Sequence, residues 1–227
     1  MRQAHTGGAT ALLLAAIVCA GCASTSHGAM QPGVAPGADQ ARLSGIEQAR
    51  ADSVRHPYTT ADVQFMQGMI GHHGQAIVMS KWAPTHDASP ALTRLAERII
   101  NSQQDEINTM QTWLGDRRQT VPDPHAPMMM TMNGVQQEML MRGMLTKVQM
   151  AELDRAKGTE FDRLFLTDMI QHHRGAVSMV HALFESEGAG QDELVFKFAS
   201  DVNVDQTTEI ARMERMLALA TLGSGSP

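Results

Sequence analysis

The sequence predicts an all-α fold, a four-helix bundle assembled from two repeated αα-hairpins. Three observations carry that reading. The stretch Phe65-Met66-Gln67-Gly68-Met69-Ile70-Gly71-His72-His73 returns 100 residues later as Phe165-Leu166-Thr167-Asp168-Met169-Ile170-Gln171-His172-His173. A second block, Gln103, Glu106, Ile107 and Met110, matches Gln206, Glu209, Ile210 and Met213. Within both blocks apolar residues recur at helical spacing, while prolines fall in the connections and β-branched runs are scarce.

Composition sets the frame. The 227 residues, with a net charge of −6, leave room for one domain plus extra segments and offer no basic face for nucleic acid. Eighteen Met and ten His stand against one Tyr and two Trp, and Met serves both as a pliant core filler and as a thioether ligand.

Residues 1–22 read as a signal peptide. Arg2 opens it, and the apolar run Ala11–Ala20 is far shorter than the roughly 20 residues a spanning helix needs. The run ends in Cys19-Ala20-Gly21-Cys22, similar to a bacterial lipobox, which would lipidate Cys22 and anchor the exported protein to the membrane. Cys19 stands where such boxes usually carry Leu, so conventional cleavage nearby is the alternative. Both cysteines lie here, which leaves the rest of the chain no disulfide and no thiolate ligand. Residues 23–56, rich in Gly, Ala, Pro, Ser and Gln over Ser24–Gln40, are expected to form a flexible tether.

The helical domain is expected over 57–220. Its first repeat, 57–115, holds helices near 60–83 and 90–114, and its second, 158–220, holds helices near 159–186 and 190–220. Thr60 and Thr159 are read as caps, with Asp62 and Asp162 as first-turn acids that complement the helix dipole. Each acid lies about 15 Å along its helix from the histidine pair, too far to share a ligand shell. Residues 116–157 form a long crossover that carries Met128, Met129, Met130 and Met132 and further Met at 139, 141, 144 and 150. Within it, Thr146 is expected to cap a short helix running to about Ala156.

The repeat places candidate ligands on inward faces. Phe65, Met69, His72, His73, Ala76 and Met79 fall within about a third of the helix circumference, as do Phe165, Met169, His172, His173, Ala176 and Met179. The partner helices carry matching stripes, Gln103, Glu106, Ile107, Met110 and Trp113, and Gln206, Glu209, Ile210, Met213 and Met216. Histidine is costly to bury unless paired or coordinated, and here it interrupts the apolar face twice. Neighbours such as His72 and His73 point about 100° apart, so one of each pair is expected to face the centre and the other a neighbouring helix or solvent. Met69 or Met169, three residues back, can join His72 or His172 around one ion. A structural account of the same residues is a His–Glu network completed by Glu106 and Glu209, with the Met side chains as core.

The pattern Phe-x-x-x-Met-Ile-x-His-His-x-x-Ala-x-x-Met, followed by Gln-x-x-Glu-Ile-x-x-Met, resembles the "domain of unknown function 305" family. The segment Gly143-Met144-Leu145-Thr146, leading to Gly158 and Phe161–Leu166, resembles its middle region. The resemblance, over about residues 57–220, implies a ferritin-like helical fold, export and, for some members, copper binding and tolerance. Carried across position by position, it implies Met69, His72, His73, Met79 and Met110, with Met169, His172, His173, Met179 and Met213, as metal-binding residues. Glu106 and Glu209 are read as their supports. Met128, Met129, Met130 and Met132 lie outside the repeat and are auxiliary candidates on composition alone.

Imidazole with thioether selects soft ions, so the expected cofactor is Cu(I), with Ag(I) as its mimic and no organic cofactor. Zinc fits poorly without Cys. A ferritin-like di-iron oxidoreductase would need carboxylates from all four helices and Glu-x-x-His pairs, yet Met69 and Met169 occupy the positions where Glu would be required. Neither a Cys-x-x-Cys-His haem motif, nor a nucleophile–base pair, nor a phosphate loop is present. The expectation is a non-enzymatic protein of the periplasm or cell envelope that binds copper for sequestration, tolerance or delivery, with a copper-handling protein as an expected partner. The alternative is a non-metal envelope scaffold or protein-interaction module with a Met-rich core.

Overall fold

The computed structural model describes residues 47, 50, 51, 58–127, 129–132 and 135–223. The expected signal peptide with Cys22, almost all of the tether, and Met128 lie outside them. The described residues form four long helices, α1 (Thr60–Trp82), α2 (Pro90–Asp116), α4 (Gly158–Glu185) and α5 (Glu193–Gly223), close to the ranges the repeat predicts. The crossover holds a short helix, α3 (Lys147–Arg155), capped as expected by Thr146, which forms a capping box with Gln149. It also holds two short strands, β1 (Met129–Met132) and β2 (Val135–Glu138), paired antiparallel with Met129 opposite Glu138 and Met132 opposite Val135. The strands correct a reading of the crossover that contained only helix. Asn133-Gly134 between them is a dipeptide suited to a two-residue hairpin turn. Among the described residues no helix is long and apolar enough to cross a membrane.

The caps at the helix starts also differ from the expectation. Thr60 is already helical, and the cap is Thr59, whose extended backbone lets its hydroxyl accept from Asp62 N at 3.2 Å. The Asp62 carboxylate in turn accepts from Thr59 N at 2.6 Å. Helix α4 starts after Lys157 without a side-chain cap, which leaves Thr159 inside the first turn. The two first-turn acids do more than complement a dipole. Asp62 Oδ1 accepts from Gly190 N, at 2.7 Å, and Asp162 Oδ1 accepts from Ser89 N, at 3.1 Å. Each hairpin's leading helix therefore grips the turn of the other hairpin. A buried Asp192 adds a third tie, accepting from Leu194 N and Val195 N at the start of α5 and from Trp113 Nε1 and Arg117 at the end of α2.

Helix α1 packs on α2, α4 on α5, and the two pairs meet through α1 and α4. The core has two lobes, each drawn from all four helices. One holds Phe65, Met66, Met69 and Ile70 of α1 with Ala176, Met179, Val180 and Leu183 of α4. The other holds Ala76 and Met79 of α1 with Phe161, Phe165, Leu166 and Met169 of α4. The start of one helix therefore lies with the end of the other, an antiparallel crossing whose midpoint is the histidine pairs. Over this crossing runs the segment 142–145. Gly175 makes room for it, since a Cβ there would stand 2.0 Å from the Arg142 carbonyl oxygen. Gly143, at φ +79°, takes a backbone turn that side chains disfavour.

Candidate metal centre

The four histidines of the two pairs are completely buried. His72 and His172 meet across the crossing of α1 and α4, ring centroids 3.7 Å apart at 41°. Their neighbours turn away to the outer helices. His73 Nε2 donates to Glu106 on α2 at 2.6 Å, and His173 Nε2 donates to Glu209 on α5 at 2.8 Å. The separations within each pair also match, 6.3 Å for His72–His73 and 6.3 Å for His172–His173. The expected division of labour between adjacent histidines holds, with neither member of either pair reaching solvent.

The crossover breaks this two-fold arrangement. Arg142 O accepts from His72 Nε2 at 3.0 Å, while His172 Nε2 has no partner. Because a carbonyl only accepts, Nε2 carries the His72 proton and Nδ1 carries the lone pair when the ring is neutral. Burial, reinforced by the nearby His73, pushes the His72 pKa down to about 3. Burial, followed by the charge His72 would carry, pushes His172 well below its ordinary value. Both rings are therefore neutral at pH 7.

Five imidazole nitrogens are buried without a hydrogen-bond partner: Nδ1 of His72, His73, His172 and His173, and Nε2 of His172. Such groups are normally satisfied, at a cost of about 1–3 kcal/mol each when they are not. A neutral ring keeps one N–H, so one of the two His172 nitrogens carries a proton, and four of the five can present the lone pair that a metal ligand requires. Among the described residues no three His, Cys, Asp or Glu side chains converge to hold an ion on their own. Any ion here would have to draw on the thioethers as well.

Met69, Met110 and Met179 are buried in one lobe, and Met79, Met169 and Met213 in the other. Met69 and Met79 stand ten residues apart on α1, about 15 Å, beyond the reach of one ion. The antiparallel crossing instead brings Met179 to the lobe of Met69 and Met79 to the lobe of Met169. Of the auxiliary candidates, Met129 is exposed on β1, Met130 and Met132 lie in the same strand, and Met128 falls outside the described residues. Two residues of the motif acquire a puzzle that spacing alone did not pose. Gln103 and Gln206 are buried one turn from the supporting glutamates, Gln103 with neither amide atom bonded and Gln206 with its oxygen unbonded.

The family model "Domain of unknown function (DUF305)" matches residues 62–217. A crystal structure of a DUF305 protein from Streptomyces coelicolor, assigned as secreted, superposes with a TM-score of 0.60 at 25% identity, covering 71% of this chain and 94% of that one. A DUF305 fragment from Deinococcus radiodurans gives 0.58 at 28% identity, covering 71% and 97%. CopM in its Cu(I)-bound form gives 0.52 at 29% identity, covering 68% and 94%. That protein has also been seen with Cu(II) and with Ag bound. An uncharacterized protein, L153, of Acanthamoeba polyphaga mimivirus is 47% identical over 57 residues, 25% of this chain, and the match spans 38% of the viral protein's length.

Proposed function

The chain belongs to the DUF305 family, and from that premise we propose that it binds a soft metal ion, Cu(I) foremost, at the crossing of α1 and α4. The observation that carries the proposal is the set of buried imidazole nitrogens without hydrogen-bond partners on all four histidines, flanked by buried methionines. Neutral imidazole with thioether is a donor set suited to Cu(I) or Ag(I) and poorly suited to hard cations. The ligands are His72 and His172 with Met69 and Met169. His73 and His173 are held from behind by Glu106 and Glu209, and Met110, Met213, Met79 and Met179 line the two lobes. CopM, the structural neighbour seen with copper and with silver bound, supports the choice of metal.

A purely structural network accounts for His73 and His173 through their glutamates and for His72 through Arg142 O, but gives His172, with both ring nitrogens unbonded, no reason to be there. Di-iron chemistry has too few carboxylates at the site. The role is binding rather than catalysis: the protein takes up copper outside the cytoplasm, for sequestration, tolerance or hand-over to a copper-handling partner. The lipobox-like Cys22 supports anchoring at the envelope.

The test is an anaerobic Cu(I) titration of the full chain against a competing chelator. It is run beside a variant carrying His72→Ala, His73→Ala, His172→Ala and His173→Ala, with folding followed by circular dichroism. Tight stoichiometric binding by the native chain, lost in a folded variant, is the expected result. Failure of the native chain to compete for copper sinks the proposal.

A further inference from the structure

Outside the buried centre, α1, residues 124–127 and the region around α3 enclose an open groove of about 550 Å³. Three soft donors line it: His125, which is exposed, and Met144 and Met150, which are half-buried. The His125 ring has no hydrogen-bond partner among the described residues. The charges nearby are already paired, Lys147 with Glu138 at 2.5 Å and Asp154 with His86 at 3.3 Å. Trp82 lines the same groove.

The fold builds this groove around the helix that carries His72 and His73. At Gly74, beside His73, a Cβ would stand 1.9 Å from the Pro124 carbonyl oxygen, so the chain leading to His125 lies directly on α1. The opposite wall is fixed by Gln75, which donates to Leu145 O at 3.0 Å and accepts from Leu145 N at 2.7 Å. The segment whose Arg142 carbonyl accepts from His72 is thus the one that presents Met144 to the groove.

We propose that His125, Met144 and Met150 form a second, solvent-facing site for a soft monovalent cation, separate from the buried centre. One imidazole and two uncharged thioethers select such an ion over Mg²⁺, Ca²⁺ or Zn²⁺. The choice of ion rests on the soft-metal reading of the centre, while the site itself rests on the groove.

Ag(I), which is redox-inert, is the probe. The full chain is labelled with ¹³C-methyl methionine, its signals are assigned with Met144→Leu, Met150→Leu, Met69→Leu and Met169→Leu, and Ag(I) is added stepwise. The Met144 and Met150 methyls are expected to shift together and saturate at a stoichiometric ion, and His125→Ala is expected to weaken that step by about tenfold. Methyls that stay fixed, or drift without saturating, overturn the groove site. Shifts at Met69 and Met169 with the groove signals unmoved leave the buried centre standing and remove this site. Shifts in the groove alone support this site and count against the buried one.

Discussion

Glu106 and Glu209 each hold the Nε2 edge of a histidine on the neighbouring helix, at 2.6 and 2.8 Å, and so turn Nδ1 of His73 and His173 away from them. Carboxylates in this position orient an imidazole and raise its basicity, and their removal typically costs about 10–100-fold in metal affinity. Glu106→Gln combined with Glu209→Gln should therefore weaken copper binding by about that factor while circular dichroism stays native, measured by chelator competition. An unchanged affinity would reduce both residues to structural partners. Protons should act on the metal-free protein through His72 and His172. Unfolded, each ring takes a proton below about pH 6.5; folded, His72 resists it down to about 3, and His172 is shifted in the same direction. The unfolded chain thus binds more protons across that window, so stability falls as pH drops from about 6.5 toward 3 and is level above it with respect to these groups. The slope is at most about 1.4 kcal/mol per pH unit for each ring. Asp168, pushed up to about 6 by burial and by Glu152, works in the opposite sense between 3.8 and about 6, one group against two. Urea midpoints of chelator-treated protein should fall on acidification through this window. A flat profile would mean the two rings are hydrated in the native state.

Two glycines separate close approach from mere helix weakness. At Gly175 a Cβ would meet the Arg142 carbonyl oxygen at 2.0 Å and the Gly143 Cα at 2.6 Å, while at Gly71 it would meet nothing within 4 Å. Gly175→Ala should destabilise by about 1–3 kcal/mol, as overpacking does, and loosen the crossover from α4. Gly71→Ala should stabilise by up to about 1 kcal/mol through helix propensity alone. Urea melts of the two variants check the opposite signs, and like signs would refute the close approach. The same elements show what a sequence can convey. Helices α1, α2, α4 and α5 were legible because the same blocks recur in both halves of the chain, and α3 because Thr146 is a local cap signal. The strands β1 and β2 were not, because a four-residue strand declares itself through its partner. Met-rich segments give little β signal. That one histidine of each pair faces inward followed from periodicity; that it is His72 and His172 did not. Their face-to-face meeting, and the exchange of Met79 and Met179 between lobes, depend on which helices pack and in which direction, and no local pattern encodes that.

At the scale of the whole molecule the two repeats are interlocked rather than adjoining. The paired histidines at the crossing belong to both, so neither half can supply the centre alone. The ties that hold the halves in register are Asp62 to Gly190 and Asp162 to Ser89. They occupy equivalent places in the repeat but not equivalent environments. Asp62 is fully buried and also closes its capping box with Thr59, through both the backbone N at 2.6 Å and the hydroxyl at 2.9 Å. Asp162 is half-buried, and both its oxygens share one donor, at 3.1 and 3.3 Å. Removing Asp62 leaves a buried amide and a helix start unsatisfied together, whereas removing Asp162 exposes its donor to water. Asp62→Ala should therefore cost about 2–4 kcal/mol, the loss of a cap plus a buried unsatisfied group, and Asp162→Ala about 1 kcal/mol. Because each substitution loosens the alignment of α1 with α4, the less stable variant should also show the larger loss of Cu(I) affinity. Equal costs for the two variants, measured by urea denaturation, would show that the repeat's symmetry governs its energetics, and that the burial of Asp62 contributes nothing beyond the hydrogen bond both residues share.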